Sequence, residues 1–212
     1  MLRIQDISLE RLKTDILSDF PEFYNLRNCI EHFPPWHDHE SVFDHTLSVL
    51  ESLTDIINRT DSRLQTYLPE KPHNNYSRRD LLHLMTVLHD IAKPETLVTH
   101  RGTTSCPEHD KQGASTSRRI LTRFDVNYPE SEQVVEMIWL HELFCFTKHL
   151  QTPDEDYTRL QQLYPHIYCD MFLFELADTK GLHVTQEVKE LQNKMITFYE
   201  NKIEEFLHHY KL

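Results

Sequence analysis

Glycine is scarce in this chain: only three of the 212 residues are glycine. An α/β fold with tight strand-to-helix turns, or a β fold built of hairpins, normally needs more, because glycine supplies the left-handed backbone conformations of tight turns. Strands of alternating polar and apolar residues are equally hard to find. The chain is therefore predicted to be mostly or wholly helical.

An excess of positive charge is also missing. Lys and Arg number 22 against 34 Asp and Glu, which makes the formal net charge −12. Broad electrostatic binding to duplex nucleic acid needs a basic face, so we exclude that class of function. A short nucleotide, or the end of a strand, can still enter a locally positive pocket.

Long apolar runs and paired cysteines are absent as well. No run of about 18 apolar residues is available to span a membrane, and residues 1–20 lack the cationic and apolar blocks of a signal peptide. The cysteines form no CxxC pair, and we interpret them as free thiols in a reducing compartment. They are Cys29, Cys106, Cys145 and Cys169. We expect a cytoplasmic protein without a membrane partner.

The composition is that of an ordinary globular protein, with 39% hydrophobic and 26% charged residues, on a chain long enough for one core. No internal repeat or domain boundary is found, so we expect one domain over residues 1–212. Apolar residues at helical spacing predict helices over residues 6–17, 21–30, 40–58, 77–93, 109–124, 129–142, 167–181 and 185–210. Non-helical connections are predicted around Pro34 and Pro35 and over residues 59–76, 95–108 and 147–156.

The most unusual stretch is Leu81–Pro94, LLHLMTVLHDIAKP. Its apolar spacing predicts a buried helix, yet His89, Asp90 and Lys93 interrupt it. A buried carboxylate beside an imidazole needs a partner, because an unpaired buried charge is costly or is neutralised by a pKa shift. Pro94 is predicted to end the helix, so that His89 and Asp90 project from its last turn. The alternative is a satisfied core histidine beside a helix-ending aspartate.

Two more polar residues fall within strongly apolar helical patterns. His45 lies among the apolar positions of residues 40–58, and Asp178 is the only acid deep at the C-terminal end of residues 167–181. A metal ion between the helices explains all of these residues, since imidazoles and carboxylates are good ligands for a divalent transition metal. The loop that carries His32, His37, Asp38 and His39 is either metal-binding or simply exposed.

Together with their flanking residues, these positions resemble a known family. The order is DHTLSVL around His45, LLHLMTVLHDIAKPET around His89 and Asp90, and ELADTKG around Asp178. Over residues 37–182 this order and its spacing are similar to those of the HD-domain metal-dependent phosphohydrolases. The resemblance implies an all-α fold, a single HD-domain helical bundle with the metal site between helices. From its own apolar pattern, the last helix, residues 184–210, is expected to pack on this bundle. The resemblance further implies that the four residues hold the first metal.

Two further sequence strings resemble one particular branch of this family. EHDKQGASTSRRILTRF, followed by MIWLHE, resembles the HD domain of bacterial tRNA nucleotidyltransferases. The matching residues are His109 and His141, which the resemblance assigns to a second metal or to contact with the phosphate. The chain differs from this branch in two ways. We expect no nucleotidyltransferase domain in front of it, and a histidine-rich loop, His37–His39, precedes His45; whether that loop joins the site is left open.

The resemblance also implies the chemistry, which is metal-assisted hydrolysis of a phosphoester. Asp90 would ligate the ion and orient or deprotonate the attacking water, and Lys93 would help to hold the phosphate, so these two are the predicted catalytic residues. Arg101 and Lys111 are the other predicted substrate-binding cations. The expected cofactor is a divalent transition metal (Mn, Ni, Co, Fe or Zn) or Mg, with a second ion where the extra histidines ligate.

The predicted substrate is a small nucleotide or the phosphorylated end of a nucleic-acid strand, including a 2′,3′-cyclic phosphate. A duplex partner is excluded by the charge balance. Two alternatives stay open: a nucleotide 5′-phosphatase, and a non-catalytic sensor that binds metal and nucleotide without turnover. The sequence distinguishes neither the exact substrate, nor the metal, nor the oligomeric state.

Overall fold

Helices build most of the computed structural model, which describes residues 2–14, 18–59 and 61–210. The α-helices, together with the short 3₁₀ helices Ile4–Asp6, Leu26–Asn28, Phe146–Lys148 and Gln186–Val188, account for 66% of it. The regular strands in these ranges form two short antiparallel hairpins, so the predicted mostly helical bundle is confirmed. The helices are α1 (Leu9–Lys13), α2 (Pro21–Asn25), α3 (Val42–Ile57), α4 (Ser62–Tyr67), α5 (Arg78–Leu88), α6 (Lys93–Thr96), α7 (His109–Leu121), α8 (Tyr128–Phe144), α9 (Pro153–Leu163), α10 (Tyr168–Gly181) and α11 (Lys189–His209). The strands are β1 (Ile30–Phe33), β2 (His37–Ser41), β3 (Val98–His100) and β4 (Thr103–Ser105). None of the described helices has the length and apolar composition to cross a membrane.

Helix α10 lies at the centre of the bundle, and nearly all its residues are buried. It packs against α3, α11, α8 and α5, while α7 packs against α8. Burial of each Leu or Phe side chain stabilises the fold by about 1.5–3 kcal/mol. This apolar packing fixes the few polar side chains that point inward, and those side chains need partners inside the protein.

Gly181 ends α10, as predicted, at a close approach to α3. A Cβ atom at this position would lie 2.8 Å from Val49 Cγ2 and 2.9 Å from the Val49 backbone nitrogen. Gly181→Ala must therefore push the two helices apart, and we expect the free energy of unfolding to fall by about 1–3 kcal/mol in urea denaturation, the range for overpacked cores. Gly113→Ala is the control, because its Cβ would meet Ile138 Cγ2 at 3.3 Å. Equal losses in the two variants would contradict this expectation.

Helix α5 begins as predicted but ends earlier. Ser77 caps it in a capping box with Asp80, in which each side chain accepts a hydrogen bond from the backbone N–H of the other residue. The prediction that Pro94 ends this helix is wrong: α5 ends at Leu88, and Pro94 lies in the first turn of α6. Proline suits that position because it has no N–H to leave unpaired there. The break between α5 and α6 places His89 at the end of a helix.

Both hairpins lie in segments predicted to be loop or helix, so this part of the prediction is wrong. Strands β1 and β2 flank the two prolines at positions 34 and 35, and β1 begins where the helix over residues 21–30 was expected to continue. Arg101 and Gly102 join β3 to β4 with φ angles of 51° and 87°, as a two-residue hairpin turn requires. The strands are too short for an alternating pattern to be recognised.

Two helices form in stretches predicted to be non-helical. Helix α4 lies within residues 59–76, and α9 begins within residues 147–156. Asp61 caps α4 by accepting a hydrogen bond from the backbone N–H of Arg63 at 2.8 Å, and Leu64 is buried in the core. A good cap and one or two buried residues are enough for a helix this short, and they leave no recognisable period.

Several predicted helices are shorter than expected. Helix α1 ends at Lys13, and the predicted residues 15–17 of that helix lie outside the described residues. Helix α7 ends at Leu121, and α11 begins at Lys189. Such shifts are usual at helix ends, where the local sequence is compatible with both states.

Candidate metal centre

Six side chains that the sequence singles out lie together inside the bundle. The packing of α3 on α10 brings together two of them that are 133 residues apart in the chain, and the pairing of α7 with α8 brings together two more. Five of the six are buried, and the sixth, Asp178, is partly exposed. They are His45 of α3, His89 and Asp90 after α5, His109 of α7, His141 of α8 and Asp178 of α10.

The six ligand candidates divide into two groups of three. In the first, His45 Nε2 lies 3.1 Å from Asp178 Oδ1, and His89 Nε2 lies 3.9 Å from the same oxygen. In each group, the three atoms that could ligate an ion all lie within 4.8 Å of one another. One ion could therefore be held by the first group alone.

The second group is formed by Asp90, His109 and His141. The Nε2 atoms of the two histidines are 3.1 Å apart, and His109 Nε2 lies 3.4 Å from Asp90 Oδ1. The extra histidines that the motif strings singled out therefore lie directly beside the first group.

Asp90, a member of the second group, also contacts the first group. Its Oδ2 atom is 3.1 Å from His89 Nε2 and 4.0 Å from His45 Nε2, whereas its Oδ1 atom faces His109. One carboxylate oxygen therefore points to each group. This arrangement suits a carboxylate that is shared by two ions.

The tautomers of three imidazoles follow from their backbone contacts. The Nδ1 atoms of His89, His109 and His141 lie 2.7, 2.8 and 2.6 Å from the backbone carbonyl oxygen three residues earlier. A carbonyl oxygen only accepts hydrogen bonds, so each Nδ1 carries the proton and donates. In the neutral form of each ring the lone pair is then on Nε2, the atom that faces the centre, as in most metal-ligating histidines.

Buried atoms without hydrogen bonds test whether these residues fit a metal. His45 Nδ1 and His89 Nε2 are buried and make no hydrogen bond. While its ring is neutral, with the proton on Nδ1, His89 presents a lone pair to the Asp90 carboxylate at 3.1 Å, so two acceptors face each other. A cation bound between His89 Nε2 and the Asp90 carboxylate would be attracted by both of these acceptors. The imidazole and carboxylate donors therefore fit a divalent metal.

The carboxylates of the centre are ionised. Burial alone would raise the pKa of Asp90, but His89 and Lys93 outweigh it and hold that pKa well below its usual range. Burial also acts to raise the pKa of Asp178, but the hydrogen bond and charge of His45 lower it to about 2. Both side chains are therefore available as anionic ligands.

The pKa values of two histidines, His89 and His141, are shifted in opposite directions. Burial acts to lower the pKa of His89, but the Asp90 carboxylate raises it above its usual value. Burial lowers the pKa of His141 to about 4, and the nearby His109 adds to that effect. His141 is therefore neutral at pH 7, the form that ligates a metal.

Lys93 is buried between two carboxylates. Its Nζ atom lies 2.8 Å from Glu31 Oε2 and 2.9 Å from Asp90 Oδ2. Burial would lower the pKa of Lys93, but Asp90 and Glu31 raise it well above its usual range. Lys93 lines the cavity at this centre, as the sequence hypothesis requires of a phosphate-binding residue, but its charge is already shared by two anions. Glu31 was missed because it lies in the hairpin that was not predicted.

The other predicted cations lie farther from the centre. Arg101 is exposed in the turn between β3 and β4 and does not line the cavity. Lys111 is exposed, pairs with Glu108 at 2.6 Å and lines an adjoining groove. Lys148 was not predicted from the sequence, because it lies in a 3₁₀ helix of three residues after α8, Phe146–Lys148, which is too short for a recognisable pattern. It lines both the cavity and the groove, and its Nζ atom is 2.9 Å from Glu142 Oε2.

The six ligand candidates face a cavity of about 330 Å³, near the lower limit for small-molecule sites. His37 lines it, and its ring centroid is 5.5 Å from that of His45. His39 does not line it. Instead, the His39 ring stacks on His32 at 4.0 Å, and His32 Nδ1 lies 3.4 Å from Asp38 Oδ1. Of the histidine-rich loop, therefore, His37 adjoins the candidate centre.

No family model matches this chain, and no curated protein is significantly similar to it. The structure supports the resemblance of the motif strings in coarse form only: its buried His and Asp cluster is compatible with a metal site of the HD type. Inferences about function therefore depend on the ligand chemistry, burial and distances of this cluster.

Proposed function

We propose that this protein is an HD-domain, metal-dependent phosphohydrolase that acts on a small nucleotide or on the phosphoester at the end of a nucleic-acid strand. The observation that carries the proposal is the pair of ligand groups that share Asp90 at a cavity. A site that binds one structural ion would be closed by four ligands. Here each group of three ligands leaves coordination positions for water and substrate.

A divalent metal held by these residues supplies Lewis acidity, which acidifies a water molecule and polarises a phosphoryl oxygen. The chain contributes the positions. Asp90 is ionised and presents one oxygen to each group, and we assign it the role of ligand and of orienting group for the water. Lys93 holds the Asp90 carboxylate in place at 2.9 Å. Lys148, whose side chain is 55% exposed on the cavity wall, offsets charge on the substrate phosphate.

Charge and size support a small substrate. The chain carries a net charge of −12, and most of the described cations near the cavity are paired with carboxylates. Such a surface lacks the long-range attraction that duplex binding requires. A cavity of about 330 Å³ accommodates a ligand of roughly mononucleotide size.

The test uses protein stripped by a chelator and reloaded separately with Mn, Ni, Co or Mg. Substrates are a nucleoside 5′-monophosphate, a 2′,3′-cyclic mononucleotide and a nucleoside triphosphate. We expect hydrolysis of at least one of them that disappears on stripping and returns on reloading, because the chain alone cannot acidify the water. Elemental analysis of the same samples gives the metal content.

The outcomes separate the alternatives. Turnover of the 5′-monophosphate alone identifies a nucleotide 5′-phosphatase. Bound metal without turnover of any substrate contradicts the proposal and favours the sensor. Tight binding of a duplex that weakens steeply with salt would contradict the small-substrate assignment.

A further inference from the structure

An exposed aromatic side chain stands at the mouth of the cavity. Phe33, the last residue of β1, is 49% exposed and lines both the cavity and the adjoining groove. Trp36 lines the same cavity and is partly buried against the core. The backbone N–H of Trp36 donates to the Phe33 carbonyl at 3.0 Å, so the two rings are carried by the two ends of one tight turn.

This turn is held to the rest of the protein at three points. Glu31 Oε2 accepts from Lys93 Nζ at 2.8 Å, and the backbone N–H of His32 donates to Thr104 Oγ1 at 2.7 Å. The backbone N–H of Thr185 donates to the Pro35 carbonyl at 3.1 Å. The aromatic pair therefore has a defined position relative to the metal centre, because Lys93 also contacts Asp90.

The cavity wall has two kinds of lining. Imidazoles and carboxylates line the metal centre, whereas Phe33, Trp36, Leu182 and Met195 supply apolar surface. A ligand complementary to both has a phosphate joined to a flat, apolar group. Nucleobases fit this description, and they stack on aromatic side chains whatever their hydrogen-bonding edge.

We infer that Phe33, flanked by Trp36, binds the base of the nucleotide whose phosphate lies at the metal centre. This inference rests on the proposed function for the phosphate position, and it adds a base-binding subsite on the β1–β2 hairpin. A half-exposed phenylalanine loses contact with water when a base covers it, so the subsite raises affinity without touching the reacting atoms.

The kinetic test compares two substrates in the metal-loaded enzyme: a nucleoside 5′-monophosphate and ribose 5-phosphate, which carries the same phosphoester but no base. For Phe33→Ala we expect KM for the nucleotide to rise about tenfold with little change in kcat, in line with base–aromatic stacking. KM for ribose 5-phosphate should not change. Tyr128→Ala is the matched control, because Tyr128 is 76% exposed at the start of α8 and does not line the cavity.

A second readout does not depend on turnover. The chain has two tryptophans, Trp36 and Trp139, and Trp139 lines a different cavity. In the Trp139→Phe variant, Trp36 is the sole tryptophan. A nucleoside phosphonate that cannot be hydrolysed should then quench its fluorescence in metal-loaded protein, whereas ribose 5-phosphate should not. Adding Phe33→Ala should weaken the apparent affinity of the phosphonate by the same factor as KM.

Failure of this inference is distinct from failure of the proposed function. If Phe33→Ala changes KM for the two substrates by the same factor, or changes neither KM, the subsite is overturned while phosphoester hydrolysis stands. If Trp36 fluorescence does not respond to the phosphonate, the subsite is likewise overturned. If the wild-type protein hydrolyses none of the substrates, and the phosphonate still quenches Trp36 fluorescence, the base subsite stands and the proposed hydrolysis is contradicted.

Discussion

Replacing Asp90 with alanine should abolish phosphoester hydrolysis and remove most of the bound metal. Asp90 presents one oxygen to each ligand group, so its loss weakens both. Loss of a group that only supports a metal ligand typically costs about 10- to 100-fold in affinity or activity, and loss of a shared ligand should exceed that. Elemental analysis and kcat/KM on the same preparations measure the two effects.

Controls for this experiment come from the same bundle. Asp55→Ala removes an exposed carboxylate from α3, the helix that carries His45, and should leave metal content and activity unchanged. His141→Gln removes a ligand of the second group only and should lower the metal content less than Asp90→Ala does. Circular dichroism establishes that each variant is folded. A folded Asp90→Ala protein with wild-type metal content and activity would overturn the assignment of the centre.

Replacing Lys93 with methionine should lower the free energy of unfolding by about 3–5 kcal/mol, the usual cost of removing one partner from a buried ion pair. Glu31 and Asp90, which are 7% and 2% exposed, would both lose their contact with the ammonium group. Urea denaturation in the presence of a chelator measures the loss, because a bound cation would compensate for part of it.

The double variant Glu31→Gln/Lys93→Met is the matched control for this loss. It also removes one of the two carboxylate charges that Lys93→Met leaves without the ammonium group, so it should recover part of the stability that Lys93→Met loses. A result without loss of stability would assign Lys93 a different role. If Lys93→Met is as stable as the wild type but its KM for the phosphoester rises strongly, Lys93 acts on the substrate phosphate, as the sequence hypothesis states, and not on the position of Asp90.

Much of the candidate site could be predicted from local patterns in the sequence. His45, His89 and Asp178 were recognisable because each interrupts an apolar helical period, and a buried polar group needs a partner. His109 and His141 were recognised through the motif strings around them. The structure brings all of these residues together with Asp90. Periodicity reports which face of a helix is buried, and that is why these side chains could be named before their neighbours were known.

Other parts of the site leave no such signal. Glu31 and Phe33 belong to a hairpin whose strands are too short for a recognisable alternation, and Lys148 ends a 3₁₀ helix of only three residues, Phe146–Lys148. The contact of Glu31 with Lys93 joins residues 62 positions apart in the chain. No local propensity specifies such a pairing, because it depends on how β1 packs beside the start of α6.

The amino-acid sequence by itself determined the helical class of the protein, the helices that form its core and several of the polar residues that face inward, among them His45, His89 and Asp178. Those properties follow from composition and from the period of apolar residues along a single helix. Only the tertiary structure decided that Asp90 stands between two ligand groups, that Lys93 is shared with Glu31 and that an aromatic turn borders the cavity. These features depend on distances between elements remote in the chain, and such distances are set by the packing of the whole core.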